Sequence, residues 1–175
     1  MTTPTQTVFT SVQGKRLGLD SSGNLVDGDG YIKGPMPVAV ATLATILALT
    51  STLHSGKPVV QSAAAPFAIT LPVAIGSGHK YKVVIGVAAT ATASTIATAN
   101  ETDVMEGFVT ALSTASANVI GYATSATSNT ISLNGTTKGG FAGDFYEFQD
   151  IAAGLWLVSG NSQPTGTTAT PFSHV

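Results

Sequence analysis

Short runs of alternating apolar and polar residues fill most of the chain. From Ser55 onward they recur at the spacing of small β-strands, with glycine, proline and asparagine between them. The pattern predicts strands over Pro58–Gln61, Phe67–Leu71, Lys80–Val87, Ser94–Ala99, Val104–Thr110 and Asn118–Ala123. Three more fall between Asn129 and Gly160: Ile131–Leu133, Asp144–Phe148 and Leu155–Val158. Asn134-Gly135 turns the chain there, and Gly139-Gly140 and Gly143 permit tight geometry. This block holds the single tryptophan, Trp156, and several phenylalanines, so much of the core is expected in it. Strands at intervals of about 8 to 12 residues point to a sandwich or barrel. The fold class expected is all-β: an antiparallel β-sandwich or jelly-roll-like domain with an extended N-terminal arm.

The first part of the chain is patterned differently. Met1 to Gln13 is polar and threonine-rich, a flexible tail if left alone. Arg16 to Val26 reads as a hairpin, and Tyr31-Ile32 as a short further strand. Asp27-Gly28-Asp29-Gly30 resembles the start of a calcium loop. However, the twelfth position counted from Asp27 is Val38, where an EF-hand needs glutamate, so a turn is expected. Gly34-Pro35-Met36-Pro37 breaks regular structure and divides an arm, 1–37, from a body, 38–175. Val38 to Thr52 fits either period. Leu43, Leu47 and Leu49 suit one strand face, while Leu43, Ile46, Leu47 and Thr50 suit one helical face. An extended segment is the expectation, with a short helix as its rival. In the threonine-rich tail, Gln163 to Val175, Phe172 is an apolar anchor. It covers a sheet edge, docks on a partner, or packs on its own domain.

Composition changes this picture in one respect. Charged residues are 9% of the chain, against a usual share of about 25%. Its surface must be made of Thr, Ser, Gly, Ala and Asn, which protects poorly against self-association. A permanently assembled protein tolerates this better than a free enzyme. The net charge is −2 and Lys15-Arg16 is the sole adjacent basic pair, so nucleic acid is not an expected partner. The apolar tract Val38 to Leu49 is interrupted by threonine and falls short of the ~20 residues of a membrane helix, so no membrane is expected either. The N-terminal MTTPTQTVFT has neither the charged nor the apolar region of a secretory signal. The chain has no cysteine, which rules out disulfides and thiolate metal sites.

Candidate chemistry is sparse. His54, His79 and His174 are isolated in sequence, and no nucleophile elbow, zinc helix or phosphate loop is present. Gly76-Ser77-Gly78-His79-Lys80 leads into a strand, not the helix a phosphate loop requires. Asp103 with Glu106, and Asp144 with Glu147, are three apart, which on a strand sends them to opposite faces. Asn100-Glu101-Thr102 and Asn134-Gly135-Thr136 match glycosylation sequons, which carry little weight without a secretory signal. No catalytic residue, metal ligand or cofactor is expected.

The stretches ISLNGTTKGGFAGDFYEFQDIAAGLWLVSG, SGKPVV, ITLPVAIGSGHKYKVVIG and TGTTATPFS carry a resemblance. Together they span roughly Ser55 to Ser173, a pattern of strand and turn signals similar to small virion proteins of tailed bacteriophages. Those are head decoration (cement) or capsid-associated structural proteins. The resemblance implies a non-enzymatic protein on the outer surface of a phage capsid, contacting the major capsid protein and itself, commonly as a homotrimer. The arm, with Phe9, Val12, Leu17, Leu19, Tyr31 and Ile32, is the expected contact to shell or neighbour, and Phe172 is a further candidate. The alternative is a fibre- or tail-associated receptor-binding module using loops such as Ala88–Ala93 and Thr124–Ser128. These lack the clustered aromatics that stack on sugars.

Overall fold

A computed structural model of the chain describes residues 9–10, 16–19, 25–27, 46–62, 65–89 and 94–175. They fall in two units, Met1–Val38 and Ala39–Val175. In the first unit, strands β1 (Phe9–Thr10), β2 (Arg16–Leu19) and β3 (Leu25–Asp27) form an antiparallel sheet in that order. Phe9 stands opposite Leu17, and Leu19 opposite Leu25. The hairpin read at Arg16 to Val26 corresponds to β2 and β3. The strand read at Tyr31-Ile32 lies outside the described residues.

The second unit is built on β4 (Ile46–Ala48), a single helical turn α1 (Ser51–His54), β5 (Pro58–Gln61), β6 (Ala68–Thr70) and β7 (Lys80–Ile85). It continues with β8 (Ser94–Ala97), β9 (Val104–Leu112), β10 (Val119–Ala123), β11 (Thr130–Leu133), β12 (Phe145–Ala152), β13 (Leu155–Ser162) and β14 (Phe172–Ser173). The ambiguous segment before Ser55 therefore holds a strand and then a helical turn, its first part lying outside the described residues. Leu49 is buried and Leu47 half-buried, as the strand period requires. The turn that follows is closed at its start. The Thr50 hydroxyl accepts from Leu53 N–H, and His54 Nδ1 accepts from Thr50 N–H at 2.9 Å.

Two mixed sheets result. One has the order β10-β9-β13-β12-β7-β5 and the other β14-β11-β8-β6-β4. Uniformly antiparallel pairing was the expectation, and it does not hold. β4 with β6, β6 with β8, β5 with β7, and β9 with β13 all run parallel. The reason lies in the path of the chain. From β4 to β9 each successive strand joins the opposite sheet, so a strand's neighbour in its own sheet is reached only after a crossover. A crossover returns the chain in the same direction, whereas a hairpin reverses it. The hairpin of β12 and β13 is then inserted between β7 and β9.

Alternation decides which side chains are buried. Tyr81, Val83 and Ile85 of β7, Tyr146 and Phe148 of β12, and Trp156 and Val158 of β13 point inward from the six-stranded sheet. Ile69, Ile96, Ile131 and Leu133 come from the five-stranded one, and all belong to one core. Tyr81 meets Trp156 edge-on, with ring centroids 5.6 Å apart, a favoured aromatic geometry. The block from Asn129 to Gly160 thus supplies much of the core.

Among the described residues three buried carboxylates fasten the loops, Asp103 through Ala74 N–H at 2.8 Å and two others through several donors each. Asp144 accepts from Gly140 N–H at 2.8 Å, Phe141 N–H at 3.0 Å and Gln163 N–H at 2.9 Å, tying the glycine-rich turn to the end of β13. Burial raises its pKa above the ordinary value, against the three N–H donors, which act to lower it. Asp150 faces the turn Ile75-Gly76-Ser77. It accepts from all three N–H groups, the closest at 2.7 Å, and from the Ser77 hydroxyl at 2.6 Å. Burial pushes its pKa up, but the Ser77 hydroxyl and the backbone donors outweigh it, and the net shift is downward. A depressed carboxylate contributes stability above its unfolded pKa and loses it as pH falls through its folded one. Asp150→Asn turns an amide N–H toward these donors and is expected to cost about 2–4 kcal/mol at pH 7. Urea denaturation should show the gap from wild type narrowing as pH drops below the usual carboxylate range. A gap independent of pH would show that the charge is not what fastens this turn.

Candidate functional site

The face of the six-stranded sheet opposite the core carries several exposed apolar side chains. Register fixes its membership, because residues directly opposite on paired strands share a face. Val119 stands opposite Leu112, Ala123 opposite Phe108, Phe108 opposite Ser159, Glu106 opposite Leu157, and Val104 opposite Leu155. All point away from Met105, Val109, Trp156 and Val158, which are buried. Phe108 is 59% exposed, Val119 69%, and Leu112 and Leu157 44% each. Glu106 is the one charged group among the strand residues β9, β10 and β13 contribute here.

The other half of the face is more polar. Lys82 on β7 bonds Glu147 on β12 at 2.7 Å, and its ammonium lies 4.3 Å from the centre of the Phe145 ring. An exposed pair of this kind contributes about 0–1 kcal/mol, so its effect is to place charge more than to hold the fold. Beside it runs a shallow groove of about 290 Å³, lined by Lys57, Pro58, Lys80, Lys82, Glu147, Gln149 and Leu157 among others. The face thus pairs an apolar half with a half carrying both signs of charge.

The residues singled out from sequence are distributed elsewhere. Phe9 lies on β1 and Leu17 and Leu19 on β2, with Phe9 and Leu17 in register. Val12, Tyr31 and Ile32 lie outside the described residues. Phe172, on β14 at the edge of the five-stranded sheet, is 7% exposed and packs in the core of its own unit. The outward residues Phe108, Leu112, Val119 and Leu157 were not singled out. Their signal was present: Leu155-Trp156-Leu157-Val158 and Phe108-Val109 are continuous apolar runs, which on a strand load both faces.

The titratable groups take local roles. His54 closes α1, His79 Nδ1 meets the Ser55 hydroxyl at 2.9 Å, and His174 Nδ1 lies 2.9 Å from the Thr127 carbonyl oxygen. The Ser55–His79 contact is a hydroxyl–imidazole pair that sequence spacing could not show. Among the described residues no carboxylate hydrogen-bonds to its ring, and the orienting third group of a triad is missing. Asp144 is buried and Glu147 exposed; Asp103 is buried and Glu106 exposed, so neither pair converges. Tyr146 is raised well above the usual phenol value by its burial and then by Asp144. Both sequon asparagines cap turns: Asn100 Oδ1 accepts from Thr102 and Asp103 N–H, and Asn134 Oδ1 from Thr136 and Lys138 N–H. Among the described residues no three His, Asp or Glu side chains gather as a metal site, and no helix is long and apolar enough to cross a membrane. No family model, curated protein or solved structure matches the chain.

Proposed function

We propose that the chain is a virion structural protein that decorates the outer surface of a tailed-phage head and stabilises contacts between shell subunits. The observation that carries this reading is the apolar outward face of the six-stranded sheet, in a chain with 9% charged residues. The strand-and-turn resemblance between Ser55 and Ser173 supports it independently. We read the two mixed sheets as the layers of a β-sandwich, since their buried side chains fall in one core.

The mechanism is burial of area. Each Å² of apolar surface removed from water returns about 25 cal/mol, less the cost of association. Phe108, Leu112, Val119 and Leu157 supply that surface to the major capsid protein, and Lys82 and Glu147 set orientation at its margin. Phe9, Leu17 and Leu19 on the N-terminal sheet form a second proposed contact, to the shell or to a neighbouring copy in a homotrimer. No catalytic step, cofactor or metal enters this function. Its test is the abundance of the protein in purified particles relative to the shell protein.

A further inference from the structure

Among the described residues the two sheets of the second unit have four edges, and three are guarded. β4 has three described residues and β14 two, too short to template another strand, and β5 opens with Pro58, a residue without an N–H, preceded by the charged Lys57. β10 is different. Val119-Ile120-Gly121-Tyr122-Ala123 contains no proline or charge, and its register on β9 runs without a bulge. No charged residue occurs anywhere between Glu106 and Lys138.

The free groups of this edge can be assigned. Ser113 N–H donates to the Asn118 carbonyl at 2.9 Å, and Thr124 N–H to the Gly107 carbonyl at 3.0 Å. In an antiparallel ladder hydrogen-bonded pairs alternate with non-bonded ones, so Ile120 and Tyr122 bond to β9. Val119, Gly121 and Ala123 therefore turn their N–H and C=O groups to the side that no described strand covers.

We propose that β10 pairs with β10 of a second copy, antiparallel and centred on Gly121. The register is self-complementary. Gly121 then faces Gly121 of the second copy and Val119 faces its Ala123, both as hydrogen-bonded pairs, giving about six bonds across the two-fold axis. Ile120 faces Tyr122 as a close pair, and both are half-buried in the single chain. Tyr122 is already held, since its hydroxyl donates to the Thr168 hydroxyl at 2.6 Å. The pairing joins two six-stranded sheets into one and doubles the apolar face that begins at Val119 and Leu112. Being two-fold, this contact is separate from any three-fold ring and joins copies that belong to different rings. It does not depend on what the apolar face covers.

The chain has no cysteine, so a single engineered thiol reports the register cleanly. A Cβ at Gly121 meets nothing within 4 Å, so Gly121→Cys is accommodated. Across the proposed axis its Cα lies about 5.5 Å from its mate, within disulfide reach. At Val119 the two copies are four residues out of register, about 13 Å apart. Mild oxidation of the full-length Gly121→Cys protein at micromolar concentration should give a disulfide dimer in at least tenfold excess over Val119→Cys, both variants melting as the wild type does. Adding Ala123→Cys to Val119→Cys should restore the cross-link. Failure of Gly121→Cys to cross-link, or equal cross-linking of the two single variants, overturns the proposal.

Discussion

Gly107→Ala is expected to lower stability by about 3–5 kcal/mol, a large share of the roughly 5–15 kcal/mol of an ordinary folded protein. Gly107 lies in β9, paired with Val158 on the parallel strand β13. Its φ is +144°, a region open to glycine alone, and a Cβ built there would sit 1.9 Å from the Val158 carbonyl oxygen. That oxygen belongs to backbone in the middle of the six-stranded sheet and cannot move aside as a side chain would. Alanine must therefore shift either β9 or β13, and with them Met105 and Trp156 in the core. Gly121→Ala is the control, with open space around its Cβ. Denaturant titration should separate the two by several kcal/mol, and equal midpoints would mean that β9 and β13 do not pair in this register.

The second large effect concerns the surface. Phe108→Asp combined with Leu157→Lys places charge on the apolar half of the outward face, the lysine standing opposite Glu106. Both side chains are exposed, so stability should change by about 1–2 kcal/mol at most. Attachment should change far more. Truncating a central apolar anchor costs about 2 kcal/mol or more, and two such losses added together imply about a 1,000-fold weaker affinity. Co-sedimentation with heads that lack the protein measures this directly. Full occupancy by the double variant, at the concentration that saturates wild type, would place the contact elsewhere, the N-terminal sheet being the next surface to test.

Much of the local structure was legible because it depends on period alone. Pro58–Gln61 is a strand with the ends read from its sequence, and Lys80, Val104, Leu155 and Ala123 mark strand ends as expected. β13 runs on to Ser162, past its apolar run. Gly160, Asn161 and Ser162 pair with β9 through backbone groups, which need no apolar side chain. Strand direction was not legible. A turn of glycine and proline looks the same whether the next strand returns in the same sheet or crosses to the other. The glycine turn at Gly76 and Gly78 could be read. Its partner, Asp150, could not, because that carboxylate arrives from a strand far along the chain. The outward face was half-visible. Continuous apolar runs announced strands loaded on both sides, but only the register shows Phe108, Leu112, Val119 and Leu157 on one uncovered surface.

The most direct test of the decoration reading is the copy number of this protein in purified particles, measured by quantitative mass spectrometry against the major shell protein. A ratio comparable to that of the shell protein is the expected result. A handful of copies would assign the chain to a fibre or tail instead, and absence from the particles would contradict a virion role altogether.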